Sequence, residues 1–538
     1  MLRRSGPGRA AAVLRASAPV LAGVAALLAC GFGGGPADRA IAQQDVEAGG
    51  PAVAPQGRAV LSAMTIDGVT AYPMAELAPL YDDRLAREAD LGDLVRVAEA
   101  ITAKYRADGY FLTRAAAPYE IADGQGRLVV YEGYVGEVAF EGAAVPAVGS
   151  LFADLPDHRP LRLADLDRRL SLAGDLPGVK VTARLEPILE DPARHRLVVA
   201  TQLQRVAGSV YADNRGTESA GPLQVYTRGA LNSAVVSGDQ LALGVLSTPE
   251  DFEEFAQADL SYSIPLRGGA RLRAMATASK ARDRAEGFNA ALGNESQSAS
   301  LRLSAPLVRQ RDRSVWAAAT VEARRVEQNW INADYEDEIL VARASLSGDH
   351  DGAAGYTTGF AQLSRGLGGF GGEPEDGRTR WDASGRFWKV NLYGSHYRDI
   401  GSKAGVFVSA SGQWSPDPLL SSEEFSAGGL PVGRAYDYGE IMGDRGVAGQ
   451  AELRVGWDPH LRPLTFFQTY AFFDGAKVWN YNAAPGWGSA ALTSAGGGLR
   501  LVFDDVALRM EVAKPLTRTP YTQNDRGLRG FLSLSASF

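Results

Sequence analysis

The sequence is poor in the residues that form covalent cross-links and metal sites. Its 538 residues include one cysteine and five histidines. A single cysteine excludes an internal disulfide framework, and the histidines are too widely separated to form a cluster with metal-ligand spacing. We therefore expect neither a metal nor another cofactor.

Positive charge and long apolar runs are scarce as well. The 63 aspartates and glutamates outnumber the 55 lysines and arginines, which leaves a net charge of -8. Nucleic-acid binding depends on lysine and arginine to neutralise phosphates, so this balance argues against nucleic acid as a partner. Beyond the first residues there is no uncharged apolar run of transmembrane length, which excludes a helical membrane protein.

The first 42 residues are typical of an export signal. Four arginines precede the uncharged run "ASAPVLAGVAALLACGFGG", and Ala40-Ile41-Ala42 supplies a small-x-small cleavage site. The mature chain would then begin near Gln43. Two alternatives stay open: lipoprotein processing with acylation of Cys30, and an uncleaved membrane helix, for which the run is short of ~20 apolar residues.

Two small α/β domains are predicted next, after a disordered lead-in over residues 43–59 that is rich in glycine, proline and alanine. Residues 60–135 predict a strand, a short helix, a second helix that Asp90 caps and Gly109 ends, and the closing strand "RLVVYEG". Residues 136–205 predict a similar domain, with a helix around "LRLADLDRRLSLAGDL" between strands.

Residues 206–538 predict a transmembrane β-barrel. The closing "FLSLSASF" alternates apolar and polar residues, and similar strands flank the tight turn Asp504-Asp505. Soluble sandwiches also alternate, but an export signal together with amphipathic strands of ~9–11 residues favours an outer-membrane barrel, whose closure satisfies every backbone group in lipid. At ~20 residues per strand and loop, this region predicts about sixteen antiparallel strands around an aqueous lumen.

Enzymatic motifs are not supported by their context. Gly366, Gly368 and Gly371 satisfy a GxGxxG spacing, but no βαβ unit surrounds them and the segment is predicted to lie in a barrel loop. No Gly-x-Ser-x-Gly elbow occurs. We expect no catalytic residues and no enzymatic activity.

Two such domains ahead of a sixteen-stranded barrel resemble the transporters of two-partner secretion, the haemolysin and filamentous-haemagglutinin exporter family. The segments "IDGVTAYPMAEL", "AITAKYRADGYFLTRAAAP" and "EGYVGEVAFEG" are similar to a first polypeptide-transport-associated (POTRA) domain, and "LRLADLDRRLSLAGDLPGVKV" is similar to a second. The resemblance implies POTRA domains over residues 60–135 and 136–205 and an outer-membrane barrel over residues 206–538.

The resemblance also implies a role for the glycine-rich, charged segment "GGLPVGRAYDYGEIMGDRG". In this family a loop folds back into the barrel lumen and carries an Arg-Gly-aromatic tip, preceded by Gly-Gly and followed by Gly-Asp-x-Gly. The matching residues here are Gly428, Gly429, Gly433, Arg434, Tyr436, Gly443, Asp444 and Gly446, with Ala435 in place of the family's glycine.

A wall partner for this arginine is implied in the same way. An arginine buried in a lumen must meet an acid, because an unpaired buried charge is costly. The resemblance points to Asp474, with Phe472, in "FFDGAKVW", where the glycine lies one position earlier than in the familiar Phe-x-Asp-x-Gly. The alternative is an ordinary extracellular loop with a solvated arginine. No clear plug helix is seen at the mature N-terminus.

The implied function is protein export across the outer membrane of a Gram-negative bacterium. POTRA domains in the periplasm would capture an unfolded partner, such as a large adhesin or cytolysin, and the barrel, in contact with membrane lipids, would pass it to the surface or medium. Two alternatives are an insertase that assembles other barrels and, with less use for the soluble domains, a passive porin.

Overall fold

The computed structural model describes residues 58–116, 121–217, 221–249, 254–284, 291–330, 333–370, 377–485, 487–523 and 525–538. The predicted export signal, Cys30 within it and the lead-in up to residue 57 lie outside these ranges. The chain divides after Leu203 into two compact units. Within the described ranges, no helix is long and apolar enough to cross a membrane.

The first domain is a three-stranded mixed sheet with helices. Its sheet has the order β2-β5-β4, with β2 parallel and β4 antiparallel to the central β5, and β1 pairs with β3 in a separate ribbon. The ribbon includes Ala59, which was predicted to belong to the disordered lead-in. The elements are β1 Ala59–Val60, β2 Ala63–Asp67, α1 Met74–Leu77, β3 Glu88–Ala89, α2 Leu91–Ala107, β4 Arg114–Ala116 and β5 Gln125–Tyr131.

Helix α2 follows the predicted pattern. Asp90 and Asp93 form a reciprocal capping box, in which each carboxylate accepts the backbone N–H of the other residue. The apolar residues that recur at helical spacing on this helix are buried in the domain core. After the helix, Gly109 has φ +91°, a left-handed conformation that glycine adopts without steric cost.

A half-buried carboxylate links this core to the chain that follows β5. Glu132 accepts hydrogen bonds from the Tyr105 hydroxyl at 2.6 Å, from the backbone N–H of Thr70 at 2.8 Å and of Ala71 at 2.9 Å, and from the Thr70 hydroxyl. Burial opposes the charged form, but these hydrogen bonds outweigh it and lower the pKa of Glu132. The same burial, with the neighbouring carboxylate, raises the pKa of Tyr105.

The second domain repeats the plan of the first. Its sheet has the order β6-β8-β7, with β6 parallel and β7 antiparallel to β8. Apolar residues of the helices and strands form one core, which includes Phe152, Leu166 and Leu197. The elements are β6 Tyr134–Gly142, α3 Pro146–Phe152, α4 Leu163–Gly174, β7 Val179–Pro187 and β8 Arg194–Leu203.

The unit that follows Leu203 is a closed barrel of sixteen antiparallel strands. The predicted fold class is therefore confirmed. The last strand closes the barrel by pairing with the first, from Ser533 opposite Asp213 to Ser537 opposite Ser209. The strands are β9 Val206–Asp213, β10 Gln224–Asn232, β11 Gln240–Ser247, β12 Phe255–Pro265, β13 Arg271–Arg284, β14 Ala291–Arg309, β15 Arg313–Trp330, β16 Ala333–Gly352, β17 Gly355–Gly368, β18 Trp388–Asp399, β19 Ala404–Trp414, β22 Arg445–Trp457, β23 Leu464–Trp479, β24 Ser489–Phe503, β25 Val506–Pro515 and β26 Arg529–Ser537.

Side chains of the barrel alternate between an apolar outer surface and a polar lumen. On β22, Val447 and Leu453 are exposed, whereas Glu452 and Arg454 are buried. This period of two is the pattern of a lipid-facing strand with a polar inner face. The predicted hairpin at Asp504-Asp505 is present between β24 and β25.

One predicted placement is wrong. Gly366 and Gly368 lie on β17, opposite Val341 and Leu340 of β16, and not in a loop, while Gly371 falls outside the described residues. The alternating pattern of the strand simply continues through the glycine-rich segment.

Removal of the Glu132 carboxylate tests how much its hydrogen bonds stabilise the first domain. Glu132→Ala leaves the buried Tyr105 hydroxyl without its acceptor, so we expect a loss of about 1–3 kcal/mol in the free energy of unfolding, measured by denaturant titration of a fragment comprising residues 58–203. Because folding lowers the pKa of Glu132, its contribution is present above the ordinary pKa of 4.5 and is lost as the pH falls towards the folded value. Acid should therefore destabilise the wild type more than Glu132→Gln, and equal acid sensitivity would contradict this assignment.

The lumen loop and its barrel-wall partners

The connection between β19 and β22, here called the lumen loop, comprises residues 415–444. It follows the eleventh strand of the barrel, so it starts at the mouth opposite to the one where β9 begins and β26 ends. A short antiparallel ribbon of β20 Phe425–Ala427 and β21 Ile441–Gly443 carries the tip between them. Tip residues such as Arg434, Ala435 and Tyr436 are at most 2% exposed, so the loop lies inside the barrel.

The tip is a compact turn held by its own backbone. The N–H of Gly429 donates to the carbonyls of Gly433 and Tyr436, and the N–H of Tyr436 donates to Gly433. Three positions require glycine. Gly433 has φ +88°, a Cβ on Gly428, at φ +125°, would lie 2.1 Å from the carbonyl oxygen of Asp437, and one on Gly429, at φ +76°, would lie 2.4 Å from the ring of Tyr438.

Ala435 fits the site that the family fills with glycine. It is not among the residues with positive φ, so a methyl group causes no backbone strain there. The side chain is fully buried in an apolar cluster with Tyr436, Phe472 and Leu492. Alanine at this position is therefore compatible with the backbone of the tip.

The Arg434 guanidinium meets three carboxylates of the barrel wall. Glu452 on β22 is closest, at 2.6 Å, followed by Glu511 on β25 at 3.3 Å and Asp474 on β23 at 3.6 Å. Gln450 on β22 accepts a further hydrogen bond from the guanidinium, and the ring of Phe472 lies 4.2 Å from it. Arginine suits such a site because its planar fork presents several donors at once.

Asp474 mainly holds the backbone of the tip. Its carboxylate accepts the N–H of Gly433 at 2.9 Å and of Arg434 at 3.4 Å, and the hydroxyl of Ser494 at 2.5 Å. The structure thus brings Arg434 and Asp474 together, as the sequence resemblance implies. It also shows that the shorter ionic contact of Arg434 is to Glu452.

Glu452 and Glu511 were missed by the sequence analysis. Each has further cationic partners: Arg454 and Arg500 contact Glu452, and Arg215 and Arg509 contact Glu511. One feature of the sequence could have identified them. The alternating pattern requires only polar residues on the lumen face of β22 and β25, yet charged residues occur there. We call Glu452, Asp474 and Glu511 the wall acids.

Tyr436 fixes the opposite side of the tip. Its hydroxyl donates to the Thr493 carbonyl at 2.9 Å and accepts the backbone N–H groups of Thr517 and Arg518. Thr493 belongs to β24, whereas the other two residues belong to the connection between β25 and β26. The aromatic residue therefore links the lumen loop to both the wall and a neighbouring loop.

The Gly-Asp-x-Gly motif anchors the end of the lumen loop. Asp444 is fully buried and accepts two hydrogen bonds from Arg380, at 2.6 and 3.0 Å, together with the backbone N–H groups of Leu419 and Tyr481. A Cβ on Gly446 would lie 2.0 Å from the ring of Phe425, and one on Gly443 would lie 2.9 Å from the Trp479 carbonyl oxygen. The motif thus allows close packing around a buried acid.

No group of three or more histidine, cysteine, aspartate or glutamate residues that could hold a metal ion is present in the described part of the chain. Buried acids of the lumen such as Glu423, Asp444 and Glu452 have arginine or lysine partners. The contacts that fix the lumen loop are therefore largely ionic.

A closed barrel whose lumen holds an inserted loop, on a chain that also carries α/β domains of the POTRA type, defines a transport protein of the outer membrane. A POTRA domain model of the ShlB type matches residues 60–133. The chain belongs to the family described as haemolysin secretion/activation protein ShlB/FhaC/HecB, whose model matches residues 196–501, more than half of the chain.

Individual relatives agree with this assignment. The heme/hemopexin transporter protein HuxB of Haemophilus influenzae is 23% identical over 467 residues, covering 82% of this chain and 80% of the relative. The outer membrane transporter CdiB of Escherichia coli is 24% identical over 482 residues, covering 83% and 79%. A solved structure of CdiB from Escherichia coli shares the fold, with a TM-score of 0.75 and 20% identity over 93% of this chain and 94% of that one.

The predicted class and location are confirmed by the family. The protein is a two-partner secretion transporter of the outer membrane that exports a partner protein, with its POTRA domains in the periplasm and its barrel in contact with lipid. The family is one of secretion channels and not of enzymes.

The distances from Arg434 predict which wall acid contributes most to holding the lumen loop in place. Glu452→Gln removes the carboxylate at 2.6 Å, whereas Asp474→Asn removes one at 3.6 Å and keeps an oxygen that can accept the Gly433 N–H. Since a hydrogen bond to a charged group contributes about 1.5–3 kcal/mol, we expect Glu452→Gln to weaken docking of the lumen loop about tenfold or more, and Asp474→Asn to weaken it less. Docking is measured as the fraction of time for which single channels in planar bilayers do not conduct.

Asp259→Asn is the matched control for this comparison. Asp259 lies on β12 and accepts a hydrogen bond from Tyr226 on β10, so its loss removes a buried lumen carboxylate without affecting Arg434. The mobility of unheated samples in gels checks that each variant barrel is folded. A larger effect of Asp474→Asn than of Glu452→Gln would show that the order is wrong.

Proposed function

We propose that the lumen loop is the gate of this transporter and that Arg434 holds the gate closed. The observation that carries the proposal is the ionic contact of one loop residue with carboxylates on three different wall strands, β22, β23 and β25. A tip held from several strands closes the lumen, and its release from them would open a path along the barrel axis. On this proposal Gly428, Gly429, Gly433, Tyr436, Gly443, Asp444, Gly446 and Phe472 shape and seat the loop.

Ionic contacts suit a gate that must open without an energy-rich cofactor. The outer membrane has no supply of ATP, so export must draw on folding of the cargo outside the cell and on weak sequential contacts inside. Buried charges are costly when unpaired but exchange readily between equivalent partners. A cargo chain or water can take over the partners of the loop as it leaves, which keeps the cost of opening small. No step of this mechanism requires a catalytic residue.

We further propose that the POTRA domains capture the cargo by strand addition. Strands β2 and β4 are the edges of the first sheet, and β6 and β7 are the edges of the second. An unfolded segment that adds to such an edge gains backbone hydrogen bonds with little demand on its sequence. This mode fits a transporter whose cargo arrives unfolded and whose contacts must be reversible.

A groove beside edge strand β4 favours the first domain as a capture site. It has a volume of about 620 Å³ and runs between α2 and β4. Small and apolar side chains dominate its lining, which leaves room for the side chains of an added strand. The lining residues are Val95, Ala98, Glu99, Thr102, Ala103, Arg106, Ala115 and Ala116.

The family described as haemolysin secretion/activation proteins supports a large exported protein as the cargo. HuxB is described as a heme/hemopexin transporter and CdiB as an outer membrane transporter. We propose that this chain exports one large exoprotein, an adhesin or a cytolysin, and that it does not assemble other barrels.

Secretion by the intact cell tests the gate. Cells with and without this protein are compared by proteomics of the medium and outer membrane, together with complementation by Arg434→Ala. Deletion of the transporter should remove one or a few large proteins from the medium. Removing one partner of a buried ion pair costs about 3–5 kcal/mol, so we expect Arg434→Ala to leave the tip undocked and to raise the open fraction of single channels in planar bilayers, with secretion no longer limited by release of the loop.

Arg228→Ala is the matched arginine control for this experiment. Arg228 lies on β10 and donates a hydrogen bond to Gln240 on β11, so its loss leaves Arg434 and the wall acids unchanged. It should keep the secretion and the open fraction of the wild type. A wild-type open fraction with Arg434→Ala would refute the role of Arg434, and depletion of many other barrels in the deletion strain would indicate an insertase.

Filling the groove tests cargo capture. Ala103 is exposed on α2 and lines the groove, so Ala103→Trp should block strand addition without disturbing the domain core. We expect secretion to fall about tenfold or more, because an added strand contributes several hydrogen bonds of about 1 kcal/mol each. Ala107→Trp, exposed on the same helix but outside the groove lining, is the control. Equal secretion by both variants would exclude this groove as the capture site.

A further inference from the structure

A second buried charge site lies in the lumen, apart from Arg434. Three cations of the wall, Arg324 on β15, Arg343 on β16 and Lys389 on β18, surround the carboxylate of Glu423. The nitrogen–oxygen distances are 2.6 Å from Lys389, 2.7 Å from Arg343 and 3.5 Å from Arg324. We call the three residues the cation trio.

The trio belongs to the barrel wall, whereas Glu423 belongs to the lumen loop. Glu423 lies on a single 3-10 turn, Ser421–Glu423, and its side chain is 1% exposed. Its backbone carbonyl is held as well, by Lys389 at 2.9 Å and by the amide of Gln413 at 3.0 Å. The loop thus inserts one carboxylate into a pocket that the wall strands build.

The pocket has more positive than negative charge without the loop. Glu322, on β15, contacts both arginines of the trio. Three cations and one wall carboxylate leave a charge of +2, which Glu423 reduces to +1. When the loop leaves the lumen, the trio loses the carboxylate that satisfies it, and buried cations without partners are costly.

The lumen loop as a whole carries a negative net charge, as Glu423 does. It contains six acids and the single cation Arg434, a net charge of -5. Several acids besides Glu423 meet arginines: Asp437 meets Arg529 at 2.8 Å, Glu440 meets Arg518 at 3.3 Å, and Asp444 meets Arg380. In the closed state the loop therefore makes the contacts that an acidic stretch of unfolded polypeptide would make in the lumen.

We propose that the cation trio is a transient binding site for aspartate and glutamate side chains of the exported chain, and that Glu423 occupies this site when no cargo is present. The inference rests on the proposed function, because the loop must leave the lumen before cargo can reach the trio. Charge-assisted hydrogen bonds of this kind are strong enough to favour a carboxylate over a neutral amide. They also exchange between carboxylates, which allows the cargo to move on.

Peptide block of single channels tests this inference with the full-length protein in planar bilayers. The probes are an unfolded peptide of alternating glutamate and serine, its glutamine analogue and its lysine analogue. In Glu423→Gln the trio lacks its internal carboxylate. We expect the glutamate peptide to block this variant with dwell times about tenfold longer than the glutamine peptide, from one hydrogen-bonded charge of about 1.5 kcal/mol.

Two further variants identify the site. Adding Lys389→Met to Glu423→Gln should shorten the dwell time of the glutamate peptide towards that of the glutamine peptide. Glu440→Gln removes one acid from the same loop but leaves Glu423 on the trio, so it should show no such preference. Equal dwell times of the two peptides in Glu423→Gln, or the same preference in Glu440→Gln, would overturn the inference.

The wild-type channel provides a second test if Glu423→Gln fails to fold, as judged by gel mobility without heating. The glutamate peptide should compete with Glu423 and raise the open fraction, whereas the glutamine peptide should not, and equal effects would overturn the inference. Entry of all peptides without charge preference would overturn only the trio. Failure of every peptide to enter any channel, Arg434→Ala included, would overturn the gate and the trio together.

Discussion

A polypeptide backbone in hydrocarbon has no water to bond, and this constraint organises the whole membrane unit. Every N–H and C=O of the sixteen strands must find a partner in a neighbouring strand, so β26 has to return to β9. Closure with this number of strands leaves a lumen that wall side chains alone do not fill. The lumen loop follows from that geometry, because a wide closed barrel without an occupant would be a permanent hole in the membrane.

The occupant is held by charge and not by an apolar core alone. Tyr436 and Ala435 pack in an apolar cluster, but the ends and the tip of the loop are fixed by Glu423, Arg434 and Asp444 with oppositely charged partners. Ion pairs in a buried site are specific in position, because each charge must be satisfied, yet their net contribution to stability is modest. A loop that must be both well placed and removable is suited to such contacts.

Over their described residues, the two POTRA domains are stabilised by apolar cores and not by buried ion pairs. Each has a three-stranded sheet, helices and an apolar core. In the first domain the reciprocal cap at Asp90 and the hydrogen bonds of the half-buried Glu132 add to this core. Their sheets have only three strands, so most strands are edges with unpaired backbone groups on one side. An exposed edge is a liability in a protein that acts alone, whereas the proposed strand addition would use it to bind unfolded cargo.

Much of this fold is determined by local sequence. Strand alternation, the helical spacing between Leu94 and Tyr105, the cap at Asp90 and the turn at Asp504-Asp505 depend on neighbours a few residues away, so they can be identified without the structure. The importance of Arg434 and Asp474 was available only through resemblance to a family. The exact end of a strand was harder to predict from the sequence. Gly366 and Gly368 were assigned to a loop, but they belong to β17.

Only the tertiary structure decided which charges meet. Arg215 donates to the carbonyl of Arg434 across a sequence separation of 219 residues, and Glu511 lies 77 residues beyond that arginine. A period of two shows that Glu452, Glu511 and Lys389 face the lumen, but it contains no information on which residue lies opposite across the barrel. That depends on strand register, closure and the path of the lumen loop together, because Coulomb attraction acts between positions in space and not between positions in the sequence.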